Sequence, residues 1–122
     1  MITARPVYWL AIVGCCALSA AAQADCTYPQ APSSIPDGKT ATKEEMISAM
    51  TQFKQYNADA TAYMACLEEE KNERMKDKSV STSVLMEIKA MHARKHNAAI
   101  SELKSKADKF NEQVMVFKGR ST

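Results

Sequence analysis

Two long stretches with helical periodicity, separated by a short polar segment, constrain the fold of this chain more than any other feature. In residues 42–77 and again in residues 83–118, apolar side chains recur every three or four positions, which places them on one face of an α-helix. Because the polar segment 78–82 is short, the two helices should be antiparallel neighbours. We therefore predict an all-α antiparallel helical hairpin. The first stripe contains Met46, Met50, Phe53, Ala60, Met64, Leu67 and Met75, and the second contains Val84, Leu85, Ile88, His92, His96, Ala99, Leu103, Ala107, Phe110, Val114 and Phe117.

The ends of both predicted helices have recognisable capping residues. Thr42 and Glu45 have the spacing of a capping box, so helix one should begin there and cover residues 42–77. Helix two should cover residues 83–118, with Thr82 or Ser83 as its cap and Gly119 ending it. The net charge is −3 over residues 43–77 and +5 over residues 78–122, which favours pairing of the two helices.

Residues 1–24 have the composition of a secretory signal peptide. Arg5 is the only charged residue, residues 7–18 form an apolar run, and Ala22-Gln23-Ala24 fits an A-x-A cleavage site. The apolar run is shorter than the roughly 20 residues that span a bilayer. We therefore predict cleavage after residue 24 and export to the periplasm or the medium. A retained anchor helix is one alternative, and processing as an envelope lipoprotein at Cys15 is another.

Residues 25–41 form a proline-containing arm without helical periodicity. Its three prolines favour extended backbone, and Asp37-Gly38 marks a turn. Helix one has an apolar arc of about 200°, which is wider than one partner helix covers. We therefore predict that the arm doubles back along helix one and covers the flank at Tyr56 and Tyr63, so that residues 25–122 form a single domain.

The predicted mature chain retains two cysteines, Cys26 and Cys66, which allow one intramolecular pairing. The arm can extend about 50 Å, whereas helix one from Thr42 to Cys66 is about 36 Å long, so the arm can reach. Disulfides persist in exported proteins. We predict a Cys26–Cys66 disulfide that contributes on the order of 3–4 kcal/mol. Two free thiols or an intermolecular bridge are the alternatives.

The arm and helix one also resemble a known group of sequences. The residues that carry the resemblance are Cys26-Thr27-Tyr28-Pro29, Pro32, Ile35-Pro36-Asp37-Gly38, Ala41-Thr42, Glu45-Met46, Tyr63 and Cys66-Leu67-Glu68. In these positions the chain resembles an uncharacterised group of small exported helical proteins of proteobacteria, over about residues 26–68. The resemblance implies export and the disulfide, and it implies no activity.

Composition and motifs argue against several classes of function. Without residues 1–24 the chain has 15 Lys and Arg against 14 Asp and Glu, whereas nucleic-acid binding needs a concentrated basic surface. The sequence contains no C-x-x-C pair, no glycine-rich phosphate loop and no nucleophile motif. We therefore expect no enzymatic activity, no cofactor and no nucleic-acid partner.

His92 and His96 are candidate metal ligands, because their i, i+4 spacing lets two imidazoles share one ion. Folding the hairpin near residue 80 places Glu68 opposite His92 and Met64 opposite His96. We hypothesise a metal site of these four residues. Imidazole with thioether suits copper, and imidazole with carboxylate suits zinc. The alternatives are a polar layer in which Glu68 contacts a histidine, and partly exposed histidines without a special role.

These features together favour a non-enzymatic interaction protein of the periplasm or the medium. Two helices leave apolar surface uncovered, so we expect contact with a protein of the cell envelope or self-association into a four-helix arrangement. The basic outer face of helix two leaves contact with a membrane surface open. The alternative function is a periplasmic metal-binding protein that uses His92 and His96.

Overall fold

The computed structural model describes residues 25–120, and these form two helices packed as a hairpin, α1 (Lys43–Met75) and α2 (Thr82–Arg120). The described residues contain no strand, so the predicted all-α hairpin is confirmed. The predicted signal peptide and the alternative lipoprotein site at Cys15 lie outside the described residues.

The start of α1 is fixed by the predicted capping box. The Thr42 hydroxyl accepts a hydrogen bond from the backbone N–H of Glu45 at 3.1 Å, and the Glu45 carboxylate accepts one from the backbone N–H of Thr42 at 2.6 Å. At the other end α1 stops at Met75, two residues before the predicted end. The Asp77 carboxylate accepts a hydrogen bond from the backbone N–H of Ser79 at 2.9 Å, and this local turn competes with helix.

Both ends of α2 differ slightly from the prediction. The residue before the helix is Ser81, whose hydroxyl accepts from the backbone N–H of Val84 at 3.4 Å, so Ser81 caps the helix rather than Thr82 or Ser83. The prediction that Gly119 ends the helix is wrong, because α2 continues through it to Arg120. No described residue has a positive φ, so Gly119 does not form a left-handed cap.

The main buried cluster joins the first half of α1, the last half of α2 and the arm. Phe53 and Phe110 stack across the two helices, with ring centroids 4.6 Å apart and an interplanar angle of 12°. Tyr56 is 1% exposed beside them. The buried members of the cluster are Ala41, Met46, Ala49, Phe53, Tyr56 and Phe110, and Ala31, Ile35, Leu103, Val114 and Phe117 pack against them.

A smaller buried cluster lies where the arm begins. Tyr63, Leu67 and Ala99 form it, and Cys26 packs against it. The predicted disulfide is confirmed: Cys26 is bonded to Cys66, with a Cα–Cα distance of 5.7 Å. No side chain is buried from residue 68 to residue 98. We call residues 68–98 the turn end of the molecule, and residues 25–67 with 99–120 the arm-covered end.

The arm contacts both helices rather than α1 alone. Tyr28 packs edge-to-face on Tyr63 of α1, with centroids 5.2 Å apart, and its hydroxyl donates to the Glu102 carboxylate of α2 at 2.7 Å. Further along the arm, the backbone N–H of Gly38 donates to the Gln113 side chain of α2 at 2.8 Å. The arm is therefore a third layer on one face of the hairpin. The predicted contact of the arm with α1 is therefore accompanied by hydrogen bonds to α2 that the apolar pattern of helix one did not indicate.

Candidate functional site

The face of the hairpin opposite the arm carries an open groove between the two helices, which we call the groove face. No arm residue lines it. Its lining combines apolar and polar side chains, namely Met50, Phe53, Lys54, Asn57, Leu103, Ala107, Phe110 and Asn111. The groove face is built by the two helices, so its shape depends on the same Phe53–Phe110 contact that holds the arm-covered end together.

Large apolar side chains on the groove face are exposed to solvent. Met50 is 44% exposed, and Ile47 lies one turn before it on α1 with 52% exposed. On α2, Ile100 is 42% exposed and lies one turn before Leu103, which lines the groove. Only two of the 39 residues of α2 are buried. Several large exposed apolar side chains on one face of a hairpin are typical of interaction sites.

The polar rim of the groove face has one ion pair on α2. Lys104 Nζ lies 2.7 Å from Asp108 Oδ2, with both side chains largely exposed. The hydrogen bond to Asp108, together with its charge, raises the pKa of Lys104. Because solvent screens exposed pairs, this contact contributes little to stability. An apolar floor with a polar rim is the usual anatomy of a protein–protein interface.

Three of the four predicted metal ligands lie together at the turn end. His92 Nε2 is 3.2 Å from Glu68 Oε2, and the ring of His92 stacks on that of His96 with centroids 5.8 Å apart. The His92–Glu68 contact has the distance of an ion pair without the alignment of a hydrogen bond. His92 Nε2 is therefore buried without a hydrogen-bond partner among the described residues.

The carboxylate of Glu68 is held by a neighbouring lysine. Lys71 Nζ lies 2.6 Å from Glu68 Oε1, and this hydrogen bond is the largest cause that lowers the pKa of Glu68. Met64 lies one turn before Glu68 on α1 and is half-buried. Among residues 25–120 no group of three or more His, Cys, Asp or Glu side chains is arranged to hold a metal ion. The metal site, which includes a thioether, stays a prediction.

Three residues that hold the arm were missed by the sequence analysis: Glu102, Gln113 and Arg120. Arg120 donates to the backbone carbonyls of Lys39 and Ala41 at 2.5 and 2.6 Å, and the other two bind arm groups as described above. The three side chains are spaced by about three turns and about two turns of helix, so they share one side of α2. In the sequence, these three residues form a polar row beside the apolar stripe of helix two. That row indicates the side of α2 along which the arm lies.

Comparison with protein-family models, with curated proteins and with solved structures found no match for this chain. Of the residues described, neither helix is long and apolar enough to cross a membrane.

Proposed function

We propose that this chain is a non-enzymatic interaction protein of the periplasm or the extracellular medium, whose groove face binds the helices of a protein partner. The observation that carries the proposal is the exposure of Met50 and Ile100 on either side of a groove that Leu103 lines. Helices dock into such grooves through apolar side chains spaced by one and two turns.

The proposed compartment is supported by the disulfide and by the predicted signal peptide. The Cys26–Cys66 bond is consistent with an oxidising compartment. Residues 1–24 have the pattern of a cleaved signal peptide, and the resemblance to small exported proteins supports the same location. Mass spectrometry of the protein from its native envelope should give a mature chain that begins at Asp25. A lipid-modified Cys15 at the N-terminus would instead identify an envelope lipoprotein.

The proposal of a non-enzymatic role rests on the lack of an activated nucleophile. Both cysteines of residues 25–120 are joined in the disulfide, so neither offers the thiolate that a cysteine nucleophile requires. Both histidines lie side by side at the turn end. The sequence pairs neither of them with a serine in a nucleophile motif.

Site-specific photo-crosslinking tests the groove face directly. A photoreactive amino acid at Ile100 should give a covalent adduct when the protein is expressed in cells and exported. The matched control carries it at Ser105, an exposed position more than one turn further along α2 that does not line the groove. The same label there should give little or no adduct. Equal yields at both positions, or no adduct at Ile100, would contradict the proposal.

A second candidate function is metal binding by His92 and His96 together with Glu68 and Met64. It is favoured by His92 Nε2, which is buried without a hydrogen-bond partner among the described residues. Ligand atoms about 2.0–2.2 Å from a tetrahedral zinc ion lie roughly 3.3–3.5 Å from one another. The 3.2 Å between His92 Nε2 and Glu68 Oε2 is close to that separation.

Calorimetric titration of metal-free protein with Zn(II) and with Cu(I) tests this second function. We expect His92→Ala and His96→Ala each to weaken binding at least tenfold, which corresponds to about 1.4 kcal/mol. Met64→Leu should weaken only the binding of Cu(I), because zinc makes little use of thioethers. Affinity weaker than about micromolar for both ions would exclude the metal site.

A further inference from the structure

We infer that the partner on the groove face is a second copy of this chain, related by a two-fold axis parallel to the helices. In this arrangement α1 of each copy lies against α2 of the other, and the two arms lie on the outer faces. The inference rests on the proposed function, since it uses the same groove face and names the protein that covers it.

The size of the groove face favours a hairpin over a single helix as its partner. The 33 residues of α1 give a length of about 50 Å, and two neighbouring helices are about 20 Å wide. The flat area is therefore about 1,000 Å², close to the roughly 800 Å² per partner that a standard stable interface buries. A single helix, about 10 Å wide, would cover half of that area. A second hairpin has the matching length and width.

The charge of the two helices selects the direction of the axis. Residues 43–77 carry a net charge of −3 and residues 78–122 one of +5. An axis parallel to the helices places each α1 against the oppositely charged α2 of the other copy. An axis perpendicular to the helices would place α1 on α1 and α2 on α2, which brings like charges together. Complementary charge fixes the orientation of partners more than it adds affinity.

The same axis also places the groove of one copy directly opposite the groove of the other, at the same position along the helices. Phe53 and Phe110 stack across the hairpin, so they lie level with each other, and a two-fold axis along the helices leaves every residue at its own height. The exposed Met50 of one copy would then meet the last turns of α2 in the other, where Asn111 lines the groove. This contact would remove the exposed apolar side chains from water without moving either arm.

Sedimentation equilibrium of the exported, disulfide-bonded protein measures the association. Wild-type protein should form a dimer with a dissociation constant of about micromolar or tighter. Ile100→Glu should raise that constant at least tenfold. Val84→Glu is the matched control, because Val84 is exposed to the same extent, 41% against 42%, and lies sixteen residues before Ile100 on another side of α2. It should change the constant by less than about twofold.

The two variants replace exposed side chains, so both should retain the helical circular dichroism of the wild type. If Ile100→Glu lost helicity, Met50→Lys would test the same face from α1 with an equally exposed residue. A wild-type protein that stays monomeric up to about 100 µM, or a control variant that dissociates as readily as Ile100→Glu, would overturn the inference.

Lysine crosslinking between isotope-labelled and unlabelled copies tests the axis. Links that join Lys43 of one copy to Lys118 of the other are expected from the parallel axis, because both exposed residues lie at the same end of the hairpin. Links that join Lys43 of one copy to Lys76 of the other would overturn this orientation, because the parallel axis keeps these residues about 50 Å apart along the helices.

The photo-crosslinked adduct at Ile100 separates the inference from the proposed function. An adduct of twice the chain mass supports both. An adduct of another mass overturns the second-copy inference and leaves the proposed function standing, and the absence of any adduct overturns both.

Discussion

The arm-covered end and the turn end are built from the same two helices, yet only the first has a buried core. All ten buried apolar residues of the described chain lie in the arm-covered end, where the arm adds a third layer. In residues 68–98 the arm reaches only the first turns on α1, where Cys26 lies beside Glu70, and no side chain is buried. A pair of helices is therefore too thin to form a core in this molecule, and a third element supplies one.

The turn end is instead held by local interactions along each helix. Three ion pairs span one turn of α1, namely Glu68–Lys71, Glu70–Arg74 and Glu73–Lys76, and Ser81 caps α2. Each such pair contributes about 0.2–0.5 kcal/mol. We therefore expect the turn end to open at a lower free energy than the arm-covered end.

The largest expected effect is the loss of an aromatic ring from the main core. Phe110→Ala removes the partner of Phe53 and should lower the free energy of unfolding by about 3–5 kcal/mol. The matched substitution at the turn end is Ile88→Ala, where the half-buried side chain should cost about 1–2 kcal/mol. Urea denaturation of both variants measures the difference. Equal decreases in the free energy of unfolding would contradict the conclusion that only the arm-covered end has a buried core.

Removal of the disulfide should have the next largest effect, because it frees the arm that makes the third layer. The bond closes a loop with a sequence separation of 40, which contributes about 3–4 kcal/mol in the chain-entropy model. Cys26→Ala combined with Cys66→Ala should lower Tm by about 15–25 °C. Hydrogen exchange should speed up most around Tyr56 and Tyr63. A variant with unchanged Tm would mean that the arm is held without the bond.

The disulfide and the hairpin could be predicted from sequence because each depends on few alternatives. Two apolar stripes joined by a short segment favour an antiparallel hairpin, and the two cysteines that follow residue 24 allow one intramolecular pairing. The path of the arm depends on contacts between residues far apart in sequence, such as Tyr28 with Glu102. The helical spacing of Glu102, Gln113 and Arg120 indicates one side of α2, but it does not identify the arm residue that each of them binds. The groove face could be expected only in outline, since which side of a helix pair stays open depends on where the arm lies.

A substitution at Gly38 should weaken the contact between the arm and α2 and leave the disulfide intact. A Cβ atom there would lie 2.2 Å from the backbone oxygen of Gln113 and 2.9 Å from the backbone nitrogen of Phe117, so the arm would have to move away from α2. Gly38→Ala should cost about 1–3 kcal/mol. Gly119→Ala is the control, because a Cβ there meets nothing within 4 Å, and alanine in a helix should be neutral or stabilising by up to about 1 kcal/mol. Thermal unfolding compares the two, and equal losses would contradict the close contact.

Tyr56 should be replaceable by phenylalanine with a gain in stability. Its side chain is 1% exposed, and its hydroxyl has no hydrogen-bond partner among the described residues. An unpaired buried polar group costs about 1–3 kcal/mol, so Tyr56→Phe should stabilise the protein by about 1 kcal/mol, as measured by urea denaturation. A loss of stability would show that the hydroxyl has a partner, such as a bound water.

Tyr28 offers the smallest effect, and one that depends on pH. Its hydrogen bond to Glu102 is the main cause that raises the pKa of Tyr28 from 10.0 to about 12. Since the folded-state pKa is the higher one, the contribution of this contact is complete below pH 10 and is lost as the pH rises through about 12. Tyr28 is 38% exposed, so solvent screening keeps the effect below about 1 kcal/mol.

Glu102→Gln tests this contact without removing the phenol. The substitution should return the pKa of Tyr28 toward 10.0, which ultraviolet titration of tyrosinate can follow, with Tyr28→Phe identifying the contribution of this ring. An unchanged titration in Glu102→Gln would mean that the phenol does not bind α2. The hydrogen bonds between the arm and α2 would then be those of Gly38 and Arg120 near its far end, and the disulfide together with Tyr63 would position the first residues of the arm on α1.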